Sequence, residues 1–213
     1  MTFQNVIDQA QRILADTDGV RYPETDLLQY ALEAHRTGAA LLPPEAVPPI
    51  WRKTNYDVVP NKTAYVVPQD LLLISAARKY STVEGGAAVH VHIIPQESER
   101  LFSDNSFFEA STSFQVLVFQ DNFLVLRPTP TAAVTRGLEV HYQAKPAGSA
   151  VSDTLQVPDA AGDAMAWYVA AMALLSDQDR EGYTANMTVF NERMVLLAQR
   201  YAAPVTARRA GIP

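Results

Sequence analysis

The sequence places two histidines two residues apart, in the segment His90-Val91-His92. In a β-strand, residues i and i+2 point to the same face, so the two imidazoles could hold a zinc ion together. A closed zinc site needs two further ligands, and the other histidines, His35 and His141, lie far away in the sequence. Since the chain has no cysteine and no zinc-protease motif, we expect an exposed histidine pair and no metal site.

Other residues with catalytic potential lie in the middle of the chain. The segment Ser111-Thr112-Ser113 supplies hydroxyl groups, but no Gly-x-Ser-x-Gly elbow surrounds any serine. Paired carboxylates of the glycosidase kind must lie roughly 5–10 Å apart, and carboxylates in loops are usually solvated. The candidates for such a pair are Glu97, Glu99, Asp104 and Glu109. We therefore predict that the chain is not an enzyme and binds no cofactor.

The segment Arg21-Tyr22-Pro23 has two interpretations. Gly19 favours a turn, and Pro23 suits the first position of a new helix, where its missing N–H is not needed. We therefore interpret the segment as a hinge between two helices, with Tyr22 packed against both. The alternative is that Arg21 and Tyr22 form a binding pair.

Composition and charge exclude several classes of protein. The chain has 213 residues, 48% of them apolar, which is enough to bury a core. The absence of cysteine excludes disulfides and thiolate metal sites. The net charge of −6 weighs against broad binding to nucleic acid, which needs Lys and Arg to displace counterions. The first residues lack a signal-peptide pattern, and no apolar run is long enough to span a membrane.

Helical periodicity occurs at both ends of the chain. Apolar residues recur at three- and four-residue steps in four segments: Val6 to Leu14, Leu27 to Leu32, Ala164 to Leu175 and Tyr183 to Tyr201. Pro158-Asp159 opens the third segment, which breaks near residues 177–179. The proline-rich residues 43–49 predict a stiff connector that is neither helix nor central strand, with Trp51 packed on the body after it.

The middle of the chain changes to a β pattern. Alternating or β-rich runs predict short strands at residues 65–67, 88–94, 114–119, 123–126 and 138–143. Gln120-Asp121-Asn122 joins two of these runs and predicts a hairpin. Residues 70–80 fit a helix or a strand, and we favour a short helix followed by an extended piece.

These elements together predict an α+β fold. The N- and C-terminal helices are expected to form a helical bundle with an inserted antiparallel β subdomain. The predicted boundaries are 1–50 for the N-terminal bundle helices, 51–150 for the β subdomain, 151–201 for the C-terminal helices and 202–213 for an extended C-terminal arm.

The order of the elements resembles the head-to-tail adaptor proteins of tailed bacteriophages, the group that includes tail tubular protein A. Three stretches carry this resemblance, which covers about residues 4–201. The first is the N-terminal helix with Arg21-Tyr22-Pro23 and Leu27-Leu28, and the second is Val66-Val67-Pro68 with Phe123 to Pro128. The third is Val140-His141-Tyr142, Pro146, Leu155 to Asp159 and Trp167-Tyr168.

The resemblance implies a structural virion protein without catalytic residues, located at the head-tail interface and assembled in the host cytoplasm. It implies a ring of about twelve copies that joins the capsid portal protein to the tail or nozzle protein. Genomic DNA would pass through the channel of this ring without specific binding, and no membrane would be involved.

The C-terminal arm is the segment that we expect to contact the portal. It contains two arginines and no acidic side chain, which suits pairing with acids on a protein partner. The predicted contact residues are Pro204, Val205, Arg208, Arg209 and Ile212.

A second function remains open from the sequence. The chain could be a monomeric β-rich ligand-binding module with helical flanks, for a glycan or a peptide. Such a module needs exposed aromatic side chains, which Phe107, Phe108 and Phe114 could supply. The oligomeric state separates this function from the adaptor.

Overall fold

The computed structural model describes residues 1–81, 87–95, 115–120 and 122–202. The chain divides into two compact units. The helical unit consists of Met1–Ile50 and the chain from Lys145 onward, and the β unit consists of Trp51–Ala144. Each unit has its own secondary structure and its own packing.

The helical unit contains four α-helices within the described residues. Their bounds are Phe3–Ile13 (α1), Glu24–Leu41 (α2), Asp159–Ser176 (α3) and Arg180–Ala202 (α4). Helix α3 is alanine-rich and apolar on nearly all sides, which is typical of a buried helix. It packs against α1, α2 and α4. No helix in the described part of the chain is both long and apolar enough to cross a membrane.

Local sequence explains where these helices begin. At α1, the Thr2 hydroxyl accepts a hydrogen bond from the Asn5 N–H, and the Asn5 side chain accepts one from the Thr2 N–H, which forms a capping box. Pro23 is the N-cap of α2, whereas we predicted that it is the first residue of the helix. Helix α2 therefore begins one residue later than predicted, at Glu24. Pro158 occupies the same position before α3, where the sequence predicts a start.

Close packing in the helical unit depends on Gly38 in α2. A Cβ atom at this position would lie 2.5 Å from Cε of Met165, far inside van der Waals contact. Gly38 therefore lets α2 and α3 approach, with Met194 of α4 beside them.

The proline-rich connector contains short helical turns, contrary to our prediction. Pro44–Ala46 and Pro48–Ile50 each form one turn of 3₁₀-helix. Proline fixes φ near −65°, which suits a 3₁₀ turn, and a turn this short needs few backbone donors. The buried side chains of Val47 and Ile50 anchor the segment.

The described residues of the β unit form a seven-stranded sheet in the order β1-β7-β3-β4-β5-β6-β2. The strands are Trp51–Val58 (β1), Ala64–Val66 (β2), Leu71–Tyr80 (β3), Ala88–Pro95 (β4), Gln115–Gln120 (β5), Phe123–Arg127 (β6) and Val134–Ala144 (β7). One face carries the main core, which includes Val91, Leu117, Leu124 and Val140. The opposite face has a smaller apolar cluster of Val116, Val118 and Val125.

The predicted fold class, a terminal helical bundle with an inserted antiparallel β subdomain, is wrong. The structure has helices at both ends of the chain and a mixed sheet in the middle, because β4 and β5 run parallel. A parallel pair needs a crossover of a dozen or more residues, and residues 96–114 separate these two strands in the sequence. The helices are grouped around the buried α3 instead of forming a bundle of equivalent members.

The individual strands agree with most of the predictions. The hairpin of β5 and β6 is confirmed, with Val118 opposite Val125. Strands β2, β4 and β7 lie where the sequence predicts them, although β7 is longer. Strand β1, which begins at Trp51, was not predicted. The helix predicted in residues 70–80 is wrong, because this segment pairs with both β7 and β4 as a strand.

Candidate interaction surfaces

A buried carboxylate joins three strands of the β unit. Glu139 on β7 is 3% exposed, and its Oε2 accepts hydrogen bonds from Lys53 Nζ at 2.9 Å and Tyr80 OH at 3.1 Å. His141 Nε2 lies 2.6 Å from the other oxygen, Oε1. Burial alone would raise the pKa of Glu139, but the three hydrogen-bond partners outweigh it and lower the pKa to about 2. This cluster therefore holds β1, β3 and β7 together.

The four histidines occupy three separate environments. His90 and His92 are exposed on the same face of β4, as predicted, with ring centroids 5.3 Å apart. His141 pairs with Glu139, and His35 is buried in the helical unit. Within the described residues, no group of three or more His, Cys, Asp or Glu side chains could hold a metal ion. Among the described residues, the four histidines are therefore not brought together.

His35 is a structural acceptor. Its Nε2 accepts a hydrogen bond of 3.0 Å from the Gln156 N–H, and its ring meets the Phe3 ring edge-on. Burial, with a smaller contribution from Arg36, lowers the pKa of His35 from 6.5 to about 4. The imidazole is therefore neutral at pH 7 and links α2 to the segment before α3.

The Arg21-Tyr22 segment joins the α1–α2 turn to the α3–α4 turn. Tyr22 is 5% exposed and donates a hydrogen bond of 2.5 Å to Asp177 Oδ2, which also pairs with Arg21 at 2.6 Å. The Asp16 carboxylate accepts the N–H groups of both residues. Burial and the bond to Asp177 raise the pKa of Tyr22 to about 12. The interpretation of this segment as a hinge between two helices is confirmed. The side chains of Arg21 and Tyr22 both bond to Asp177, which belongs to the same helical unit.

The β unit carries an apolar pocket of about 200 Å³. Its lining side chains are Leu71, Leu72, Leu73, Ile74, Ile93 and Phe119. Three of them remain well exposed: Leu73 at 49%, Phe119 at 41% and Ile93 at 37%. Asp70 directly precedes the pocket residues and is itself exposed, with Oδ1 accepting a hydrogen bond from Tyr142 OH at 3.0 Å. An exposed apolar concavity with an acidic neighbour is typical of a docking surface.

A second exposed apolar surface lies on α4. Phe190 and Met194 are its buried residues, and they face the rest of the helical unit. Val195 and Leu196 follow directly and are 55% and 65% exposed. This outer face of α4 is available for contact with another chain.

Comparison with known families identifies the chain. The family model described as SU10 adaptor protein matches residues 1–210. The chain belongs to the SU10 adaptor protein family. No curated protein matches this family member at a significant level.

Membership of the SU10 adaptor family supports the resemblance drawn from the sequence. It indicates a phage structural adaptor that is a virion component and interacts with other virion components. An adaptor family also indicates a structural, non-enzymatic role. The narrower likeness to tail tubular protein A stays a prediction.

Several residues singled out in the sequence lie outside the described residues of this SU10 adaptor family member. They are the arm residues Pro204, Val205, Arg208, Arg209 and Ile212, the Ser111-Thr112-Ser113 segment, and the side chains Glu97, Glu99, Asp104, Phe107, Phe108, Glu109 and Phe114.

Two features of this SU10 adaptor family member, the apolar pocket and the Glu139 cluster, were missed in the sequence. The pocket was missed because residues 70–80 were interpreted as partly helical, which hid the apolar start of β3. The Glu139 cluster was missed because Lys53 and Tyr80 are distant in the sequence. The alternating segment from Leu138 to Gln143 contains its only local signal, a carboxylate two residues before a histidine.

Proposed function

We propose that the chain forms a ring-shaped head-to-tail adaptor, which joins the capsid portal to the tail or nozzle and leaves a channel for genomic DNA. The observation that carries this proposal is the match to the SU10 adaptor family over residues 1–210. The order of sequence elements, which resembles phage head-to-tail adaptors, is consistent with it.

Two unlike surfaces favour a ring. A closed ring uses a heterologous interface, in which one surface of each subunit meets a different surface of the next. The chain offers an exposed apolar helix face at Val195 and Leu196, and an apolar pocket in the β unit. A ring of about twelve copies could close through such surfaces.

The distribution of charge suits passage of DNA. Residues 51–144 carry eight Lys or Arg against nine Asp or Glu, a net charge of −1. Residues 1–50 and 145–202 carry seven against fourteen, a net charge of −7. Acidic surface repels phosphate and releases no counterions on contact, so DNA would slide past it. We therefore place the helical unit at the channel wall in this proposal.

Mass in solution, measured with and without purified portal, tests the proposal. Light scattering or native mass spectrometry should find a closed ring of the full-length chain, either alone or once portal is added. A chain that stays monomeric in both conditions would contradict the adaptor function. That result would favour the alternative, a monomeric β-rich ligand-binding module with helical flanks.

A further inference from the structure

The apolar pocket of the β unit has the size and chemistry of a receptor for one side chain. Its volume is about 200 Å³, and an apolar cavity of roughly 150 Å³ can hold a benzene molecule. Leu73, Ile93 and Phe119 line it and remain exposed within the described structure. The pocket thus has room for an aliphatic side chain, and filling it would remove apolar surface from water.

The charge beside the pocket restricts the occupant. Asp70 precedes the first lining residue, is exposed, and uses Oδ1 for the hydrogen bond from Tyr142. A carboxylate in this position favours a partner segment that carries a bulky aliphatic residue close to an arginine.

The chain itself contains such a segment beyond α4. Residues 203–213 include Arg208 and Arg209 and no acid, in a chain whose net charge is −6. Ile212 lies three residues after Arg209. Residues 203–212 can span about 35 Å when extended, which is enough to reach a neighbouring subunit. Val205 lies only three residues after Ala202, the last residue of α4, so it cannot reach as far from the helix as Ile212 can.

We propose that the C-terminal arm of one copy docks on the β unit of a neighbouring copy, with Ile212 in the apolar pocket and Arg209 facing Asp70. This inference rests on the proposed ring and names one of its subunit contacts. It gives the arm a different destination from the portal contact predicted from the sequence.

Single cysteines test the docking, because the chain has none of its own. One tagged chain carries Leu73→Cys and a differently tagged chain carries Ile212→Cys. The two are mixed as full-length protein, with purified portal present, and oxidised mildly. A disulfide requires Cα atoms within about 7 Å, so a disulfide between the two tagged chains reports arm and pocket in contact.

A matched control places the cysteine away from the pocket. Val20 in the helical unit is 78% exposed, so Val20→Cys is at least as accessible as Leu73→Cys. We expect the Ile212→Cys chain to link to the pocket variant more than about tenfold faster than to the control, because docking raises the effective concentration. Arg209→Glu should slow the link by roughly two- to fivefold, the size of an exposed ion pair, whereas Arg209→Lys should not.

Three results would overturn the docking. Equal linking to the Val20→Cys chain would show that the arm contacts surfaces at random. A chain that carries both cysteines and links only within itself would place the arm on its own β unit. The third result is that rings form in which Ile212→Cys does not link to Leu73→Cys. If portal also protects Ile212→Cys from maleimide in these rings, the arm contacts the portal.

Mass measured on the same samples separates the two proposals. Rings without the cross-link overturn the docking and leave the adaptor function standing. The absence of any ring, with or without portal, overturns the adaptor function and the docking with it.

Discussion

At the scale of single residues, substitution of Glu139 tests most directly whether its hydrogen bonds stabilise the sheet. Glu139→Gln keeps the shape but removes the charge that Lys53 and His141 face. We expect the β unit to lose about 2 kcal/mol, because hydrogen bonds to a charged group weaken. Urea unfolding at pH 7 measures the change, with the exposed Glu192→Gln as the matched control. Equal stability of both variants would contradict a clamping role.

The pKa of Glu139 adds a pH dependence to this test. Its folded value of about 2 lies below the ordinary 4.5, so the carboxylate stabilises the fold above pH 4.5. That stability is lost as the pH falls from 4.5 towards about 2. The Gln variant should lack this part of the acid titration.

His35 titrates at higher pH than Glu139. Its folded pKa of about 4 lies below the ordinary 6.5, so the unfolded chain binds the proton first and stability falls as the pH drops between these values. His35→Gln retains an acceptor for the Gln156 N–H without titrating. We expect the loss between pH 6.5 and pH 4 to shrink by on the order of 3 kcal/mol. An unchanged pH profile of urea unfolding would show that His35 is not buried neutral.

The local sequence predicts on which face of the strand Glu139 and His141 lie, but not whether they are buried. The alternation of Leu138, Val140 and Tyr142 predicts that Glu139 and His141 share the opposite face of the strand. It does not predict that Glu139 is buried, because Lys53 and Tyr80 come from other strands. Burial of a charged side chain depends on partners that only the folded sheet supplies.

At the scale of elements, the bond between Tyr22 and Asp177 joins two helical turns. Tyr22→Phe removes the hydroxyl and leaves Asp177 paired with Arg21 alone. We expect the melting temperature to fall by about 3 °C, the effect of one lost hydrogen bond in a chain of this size. Calorimetry measures the shift, with Tyr30→Phe on α2 as the control. A fall of the same size in both variants would show a general effect of losing a tyrosine hydroxyl, and would contradict a specific contribution of the bond to Asp177.

Elements with strong local signals were predicted well, and those decided by pairing were not. The helices and the β5–β6 hairpin carry periodic patterns and turn residues within a short window. The apolar start of β3, Leu71-Leu72-Leu73-Ile74, fits a helix or a strand, and pairing with β7 decides it. The parallel contact of β4 and β5 joins segments separated by residues 96–114, which no local pattern reveals.

At the scale of the whole molecule, an adaptor needs surfaces that are stable alone and complementary between copies. The helical unit buries Phe190 and Met194 of α4 but leaves Val195 and Leu196 exposed on the same helix. These two side chains contribute little to the fold of one chain, because most of their surface stays in water. In the proposed ring, we expect these two side chains to take part in a contact between chains.

Replacement of Val195 and Leu196 by Glu tests that contact. The change should leave the melting temperature of the monomer nearly unchanged, because exposed substitutions usually alter stability by less than about 0.5 kcal/mol. It should prevent ring formation, since two charges in an apolar interface cost several kcal/mol. Val20→Glu, at another exposed apolar position of the helical unit, is the control and should assemble normally. Native mass spectrometry with portal present measures ring formation by the double variant and by the control. If the double variant forms rings, this face of α4 is not a subunit contact.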